Sequence, residues 1–414
     1  MLLFRRSLPL FSVSPWASCF LGLSGLLLGG EAASAKDLYV SAATGKNENP
    51  ATKEAPIKFL WKALKAAGPG DTIHVAEGNY PGEGKSGCQP RIEKGGLRIL
   101  GGYNANFSVR APFKTPSTVI APEDSTNKCR THTFHAELSG NDLAPIVIDG
   151  FVIDRGPLNT YKSSSPGDGS QDNSKSPNGA AGIWLIGKGS FEVRNCVVIN
   201  SAFWGIYVKA GKDSIVSNNV VFSYIGRGIE AIAGNGWGKP KMTLTRNSVA
   251  FGYKYRSTEG RGISADNIAS YDISENLLAF NDESGVGLKF ASNQIALNQN
   301  QFFTNKYADH LVGGQGGKRT KVADFGDELS GATGNTEGDP RWKLNAAWLG
   351  KWFSRKDAAE GNLTLDKLNS LRASLGINLQ GGPGKAAEFY AVRYPDWKEI
   401  VALAGAVPGR GAQK

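Results

Sequence analysis

The residues of this chain best suited to chemistry fall at two fixed offsets behind a repeated glycine. Five short phrases open on that glycine: GIWLI at Gly182, GIYVK at Gly205, GIEAI at Gly228, GISAD at Gly262 and GVGLK at Gly285. Their third residues are Trp184, Tyr207, Glu230, Ser264 and Gly287, and their fifth are Ile186, Lys209, Ile232, Asp266 and Lys289. The second and fourth residues, from Ile183 and Leu185 to Val286 and Leu288, are all apolar. In a strand, successive side chains point to opposite faces, so one face makes a core while the other collects aromatic, acidic and basic groups. Each group suggests a role. The flat rings of Trp184 and Tyr207 suit stacking against sugar rings. Lys209 and Lys289 are candidate bases, a role that a lysine amine takes where neighbouring cations favour its neutral form. Glu230 and Asp266, one repeat apart, supply the oxygen ligands that Ca²⁺ prefers.

A second phrase keeps step with the first and shows what must position these side chains. It reads NCVVIN, NVVFS, NSVAFG, NLLAFN and NQFFTN, starting at Asn195, Asn219, Asn247, Asn276 and Asn300. Recurrence near every 23 residues, with short β-type runs and no helical period, indicates a solenoid of stacked strands. The leucine ladder of a leucine-rich repeat is missing. Within one rung, GIYVK gives a first strand, AGKD a turn, Ile215 and Val216 a second strand, Asn218 and Asn219 a corner, and Val220 to Phe222 a third. Asparagine tolerates left-handed backbone at such a corner, and its amide both donates and accepts, so stacked copies are expected to form a ladder. Cys196, just behind one corner, reads as a packed thiol.

This three-strand rung, with an asparagine corner between its second and third strands, resembles the right-handed parallel β-helix of the pectate-lyase-like superfamily. The segment from Asp37 strengthens the likeness, with its strand, Gly/Asn/Pro-rich loop, helix-spaced Ile57, Leu60, Trp61 and Leu64, and PGDTI from Pro69. GGYNANFSVRAP from Gly101, GDPRW from Gly338 and the closing PGRGAQ are similar to phrases of the same proteins. The resemblance spans roughly residues 37–345. It implies an all-β fold: a single-stranded right-handed parallel β-helix with an N-terminal capping helix and a helical C-terminal segment. It also implies a substrate groove along the glycine-led strands and their flanking loops. Activity is left open, because the same fold carries lyases, hydrolases, epimerases and non-catalytic surface proteins.

The ends bound the compartment. Arg5 and Arg6, an apolar run from Cys19 to Leu28, and Ala33-Ser34-Ala35 read as a bacterial export signal, giving a secreted or periplasmic protein. Three regions follow: 1–35 as signal, 36–342 as capped β-helix, and 343–414 as a helical cap with helical stretches from Leu365 and Lys385. Cleavage removes two arginines and one glutamate from a formal charge of +10 and leaves +9. Export makes nucleic acid an unsuitable partner, and no membrane span remains in the mature chain. An anionic polysaccharide, met by a monomer, fits the charge. Of the remaining cysteines, Cys88 and Cys129 form one pairing open to an oxidising compartment.

Two insertions rise beside the expected groove. Residues 157–181 are rich in Ser, Gly, Asn and Pro; their Asp168, Ser170 and Asp172 imitate a calcium loop, but its twelfth position is Gly179. GYKYRSTEGR before Gly262 brings Lys254, Arg256 and Arg261 as further substrate contacts, or as a solvated basic loop. A uronic acid lyase must neutralise a carboxylate and remove the proton beside it. The residues above offer that set in part. Asp-Asp and Gly-His-Gly phrases of a polygalacturonase-type hydrolase are absent. His132 and His135 have metal-like spacing without a third ligand and read as loop residues. Two functions stand: binding, with cleavage by β-elimination, of an acidic polysaccharide, or non-catalytic adhesion through the same groove.

Overall fold

Alternation in the repeated phrases becomes strand pairing of one kind. From Arg98–Tyr103 to Ala308–Val312 each strand pairs with the third strand along the chain, so three sheets form. In the computed structural model the described residues are 34–83, 88–114, 118–120, 132–138, 140, 142–154, 181–201, 203–253, 260–266, 268–281, 283–288, 294–305, 308–313, 317–342, 349–352, 389–392 and 397–414. Residues 1–33 of the expected export signal, Cys129, Asp168 to Asp172, Lys254, Arg256, Lys289 and the stretch from Leu365 lie outside them.

The glycine-led sheet holds the strands Phe134–Glu137, Ile183–Gly187, Trp204–Ala210, Arg227–Ala233, Arg261–Ala265, Ser284–Leu288 and Ala308–Val312, all parallel, closed by the antiparallel Lys318–Thr320. A ten-stranded middle sheet runs from Asp37–Val40 to Ala332–Thr333. A nine-stranded asparagine-led sheet runs from Gly78–Asn79 to Thr336–Glu337. This is a parallel β-helix. Inward residues from all three sheets, such as Ile206, Val216 and Val221, form one continuous core.

Two devices set the corners. First, Asn219, Asn247, Asn276 and Asn300 are fully buried, and each Nδ2 donates to the next amide oxygen at 3.0 Å, ending on Asn335. Each Nδ2 also donates to a carbonyl of the middle-sheet strand one rung earlier, as Asn247 does to Val216 at 2.9 Å. The ladder satisfies backbone groups that the turn would leave buried and unpaired. The left-handed residue, however, is the one before: Asn195, Asn218, Arg246, Glu275 and Gln299 have φ from 53° to 57°. Cys196 therefore holds the ladder position of its rung, donating its N–H to Asn219 Oδ1, and burial pushes its thiol up to about 12. A second ladder, Asn281 to Asn305, marks the next corner.

Second, glycine opens each glycine-led strand because the chain turns there against the asparagine-led strand. A Cβ on Gly205 would lie 2.3 Å from Val221 Cγ1 and 2.5 Å from the Gly228 carbonyl oxygen.

The helix Leu60–Ala66 buries Leu60, Ala63 and Leu64 against the N-terminal end of the core, while Ile57 bridges to Val40 before the helix starts. The C-terminal segment differs from the expected helical cap. Leu349–Trp352 pairs antiparallel with Phe389–Val392, inside the stretch from Lys385 read as helical; its aromatic and β-branched residues favour a strand. A short helix, Trp397–Val401, is present, and Ile400, Leu403 and Ala412 pack on the outer side of the asparagine-led sheet. Cys88 is disulfide-bonded. Among the described residues no helix is long and apolar enough to cross a membrane.

Candidate functional site

Strand register assembles the first outward column as expected: Trp184 pairs with Tyr207, Tyr207 with Glu230, Glu230 with Ser264, and Ser264 with Gly287. His135 precedes Trp184 in the same column. Stacking at one rung spacing, roughly 4.8 Å, brings flat side chains into ring contact. His132 and Trp184 lie parallel at 4.3 Å, and Trp184 and Tyr207 at 4.0 Å. Trp184 is thus covered on both faces by rings. Tyr207 is only 8% exposed, so it is part of the stack and not an open platform. Burial, then the neighbouring Glu230 charge, pushes its phenol well up and keeps it protonated.

A further outward column was missed in the sequence. It stands one residue before each glycine: Trp204, Arg227, Arg261 and Ser284 are register partners. The glycine and the following isoleucine both face inward, which breaks strict alternation and puts Trp204 on the same side as Tyr207. Trp204 crosses the stack at 65° to Trp184 and 58° to Tyr207. Its Nε1 donates to Glu230 Oε2 at 2.5 Å, while Arg227 donates to Oε1. Half-exposed Trp204 and Phe203, with the uncovered edge of Trp184, give the row its open aromatic surface.

The second outward column pairs Lys209 with Ile186 and Ile232. Lys209 Nζ stands 5.6 Å from the centre of the Trp237 ring, contributed by the loop after the next strand. The ring face attracts the ammonium and holds it in place. Among the described contacts no second cation is brought against it.

The carboxylates do not fit a Ca²⁺ site. Both oxygens of Glu230 are taken by Arg227 and Trp204. Asp266 lies past the end of its strand, where Oδ2 accepts from Ala233 N–H, and Oδ1 from the N–H groups of Ile268 and Ala269 and from the Tyr271 hydroxyl. It caps a turn. Arg261 departs from its expected role too: its side chain is buried and pairs with the equally buried Glu283 at 2.6 Å. Its stem fills the space over Gly287, where an added Cβ would sit 2.3 Å from Cδ. A guanidinium so enclosed is structural. At the other end of the row, burial and then Arg91 hold the His135 imidazole below its ordinary value.

Comparison with known proteins agrees with this architecture. Residues 167–323 match the sequence model described as right handed beta helix region, and residues 43–105 match that described as protein of unknown function (DUF1565). The chain is a right-handed parallel β-helix. A search of curated proteins gives no match. Similar solved structures include pectate lyase Pel9A, at 12% identity and TM-score 0.43, over 76% of this chain and 82% of that one. XylC in complex with xylose is 10% identical at TM-score 0.43, over 67% and 63% of the two chains. A rhamnogalacturonan lyase is 11% identical at TM-score 0.26, over 91% and 100%.

Proposed function

We propose that this chain is an exported protein that binds an acidic polysaccharide along the outer face of its glycine-led sheet. One observation carries the reading: an aromatic row, Trp184 and Trp204 over Tyr207, runs across consecutive rungs and is flanked by Lys209 on Trp237. Apolar ring surface takes the C–H faces of sugars, and the ammonium takes the carboxylate. A net positive charge draws a polyanion toward the surface and makes binding sensitive to salt. Binding is favoured over cleavage because Lys209 lies on Trp237 and the carboxylates are engaged as described. β-Elimination would require Lys209 or Lys289 to take the proton beside a uronate, and the same experiment reads it.

Affinity electrophoresis in gels containing pectate, alginate or a neutral glucan provides the test. Retardation by a polyuronate and not by the glucan is expected. Trp204→Ala and Lys209→Ala should each weaken retention about five- to tenfold, as loss of an aromatic surface or a charge contact does. Unchanged retention in both variants would move the site off this face. Release of unsaturated ends, followed by ultraviolet absorbance, would add the lyase activity; retention without product leaves a binding or adhesion protein.

A further inference from the structure

In the glycine-led sheet one core-facing column runs Phe134, Ile183, Ile206, Ile229, Ile263 and Val286, and then ends on His310. Placing an imidazole where five rungs in succession carry Ile or Val breaks the pattern that builds the core. His310 is 4% exposed, and its Nδ1 has no hydrogen-bond partner. Buried polar atoms are normally satisfied, so an orphan nitrogen asks for a partner outside the chain.

Beside that nitrogen the final rungs leave a gap. Leu288, Ile295, Leu297, Val312, Leu329 and Ala332 line a cavity of about 170 Å³, with His310 in its wall. Apolar cavities of roughly this size hold a single six-membered ring. Lys318, Glu328 and Ser330 complete the lining; Lys318 pairs with Glu328 at 3.0 Å, and Thr320 donates to the same carboxylate at 3.2 Å. The two charges answer one another, so the lining presents no net charge and favours an uncharged ligand. Burial and the nearby Lys318 also keep the imidazole neutral at ordinary pH.

We propose that this cavity binds a small, uncharged ring compound carrying one hydroxyl group, with the ring among the aliphatic side chains and the hydroxyl on His310 Nδ1. A hydroxyl suits either imidazole tautomer, because it both donates and accepts. The site is separate from the polysaccharide face: it opens at the C-terminal end of the core, not on the outer surface of the sheet.

Phenol and toluene, matched in ring size and differing in the hydroxyl, test this by calorimetric titration of the full mature chain. Phenol should saturate one site and bind at least about tenfold more tightly than toluene, the scale of one buried hydrogen bond. His310→Val keeps the cavity and should bind the two alike, whereas Leu297→Phe fills it and should bind neither. Absence of saturable phenol binding overturns the proposal, as does a phenol preference that survives in His310→Val. Should either variant fail to fold, the wild-type His310 ring-proton signals decide: they shift with phenol if the site exists, and remain unmoved if it does not.

Discussion

Burial, and secondarily the charge of Lys318, pushes the His310 imidazole down to about 4, while the unfolded chain protonates near 6.5. Between these values the unfolded state holds more protons than the folded one. Stability is therefore unaffected above about pH 6.5 and falls as pH drops towards 4. By pH 4.5 the expected loss is roughly 2–3 kcal/mol, read as a lower urea midpoint than at pH 7. His310→Leu should flatten that dependence. Equal falls in the wild type and the variant would assign the acid sensitivity to other groups. The same reasoning separates residues that look alike in sequence. Lys209 and Arg261 both read as exposed cations, yet Lys209 is half-buried against Trp237 and Arg261 is sealed against Glu283. A repeated phrase reveals which way a backbone position points. It does not reveal which side chain will lie over it.

Among the strands, glycine is the element that makes the rung close. Gly205→Ala would drive a Cβ to within 2.5 Å of the Gly228 carbonyl oxygen and 2.3 Å of Val221. Backbone cannot yield as a side chain does, so a loss of roughly 1–3 kcal/mol is expected in urea unfolding. Gly326→Ala is the matched control: it lies in the short helix Phe325–Glu328 with nothing within 4 Å of the added carbon. That change should be neutral or stabilise by about 0.5–1 kcal/mol. Equal losses in the two variants would mean that close approach is not why glycine recurs. The five-rung register, the inward isoleucines and the asparagine ladder were legible from spacing alone, because they depend on backbone geometry repeated each turn. Two features were not. Strict alternation hides the column of Trp204 and Arg227, since the chain bends at the glycine. The left-handed corner residue was legible only where it is asparagine, at Asn195 and Asn218, and not where Arg246, Glu275 and Gln299 take that conformation.

At the scale of the molecule, the outer face of the asparagine-led sheet carries more apolar surface than water tolerates. Phe222, Phe251 and Phe280 are 1–3% exposed, covered by Trp342 and by the final residues from Trp397 onward. The chain end is fastened along the corner column: Gly411 N–H donates to the Glu275 carbonyl at 2.8 Å, Ala412 N–H to Ser248 Oγ at 2.9 Å, and Gln413 N–H to Asn218 Oδ1 at 2.7 Å. The C-terminal segment therefore acts as a strap down the side of the solenoid as well as an ending to it. Stacked rungs carry their own core and fold by contacts with their neighbours, so the strap is not needed to form them. Truncation after Trp342 should leave the far-ultraviolet β signal intact while uncovering a contiguous apolar face. Such a face binds a hydrophobic dye and drives self-association. Dye fluorescence and sedimentation of the truncated chain check this, and polyuronate retention should persist, since the glycine-led face is untouched. A truncated chain that loses its β signal altogether would show that the strap is required for the helix to form.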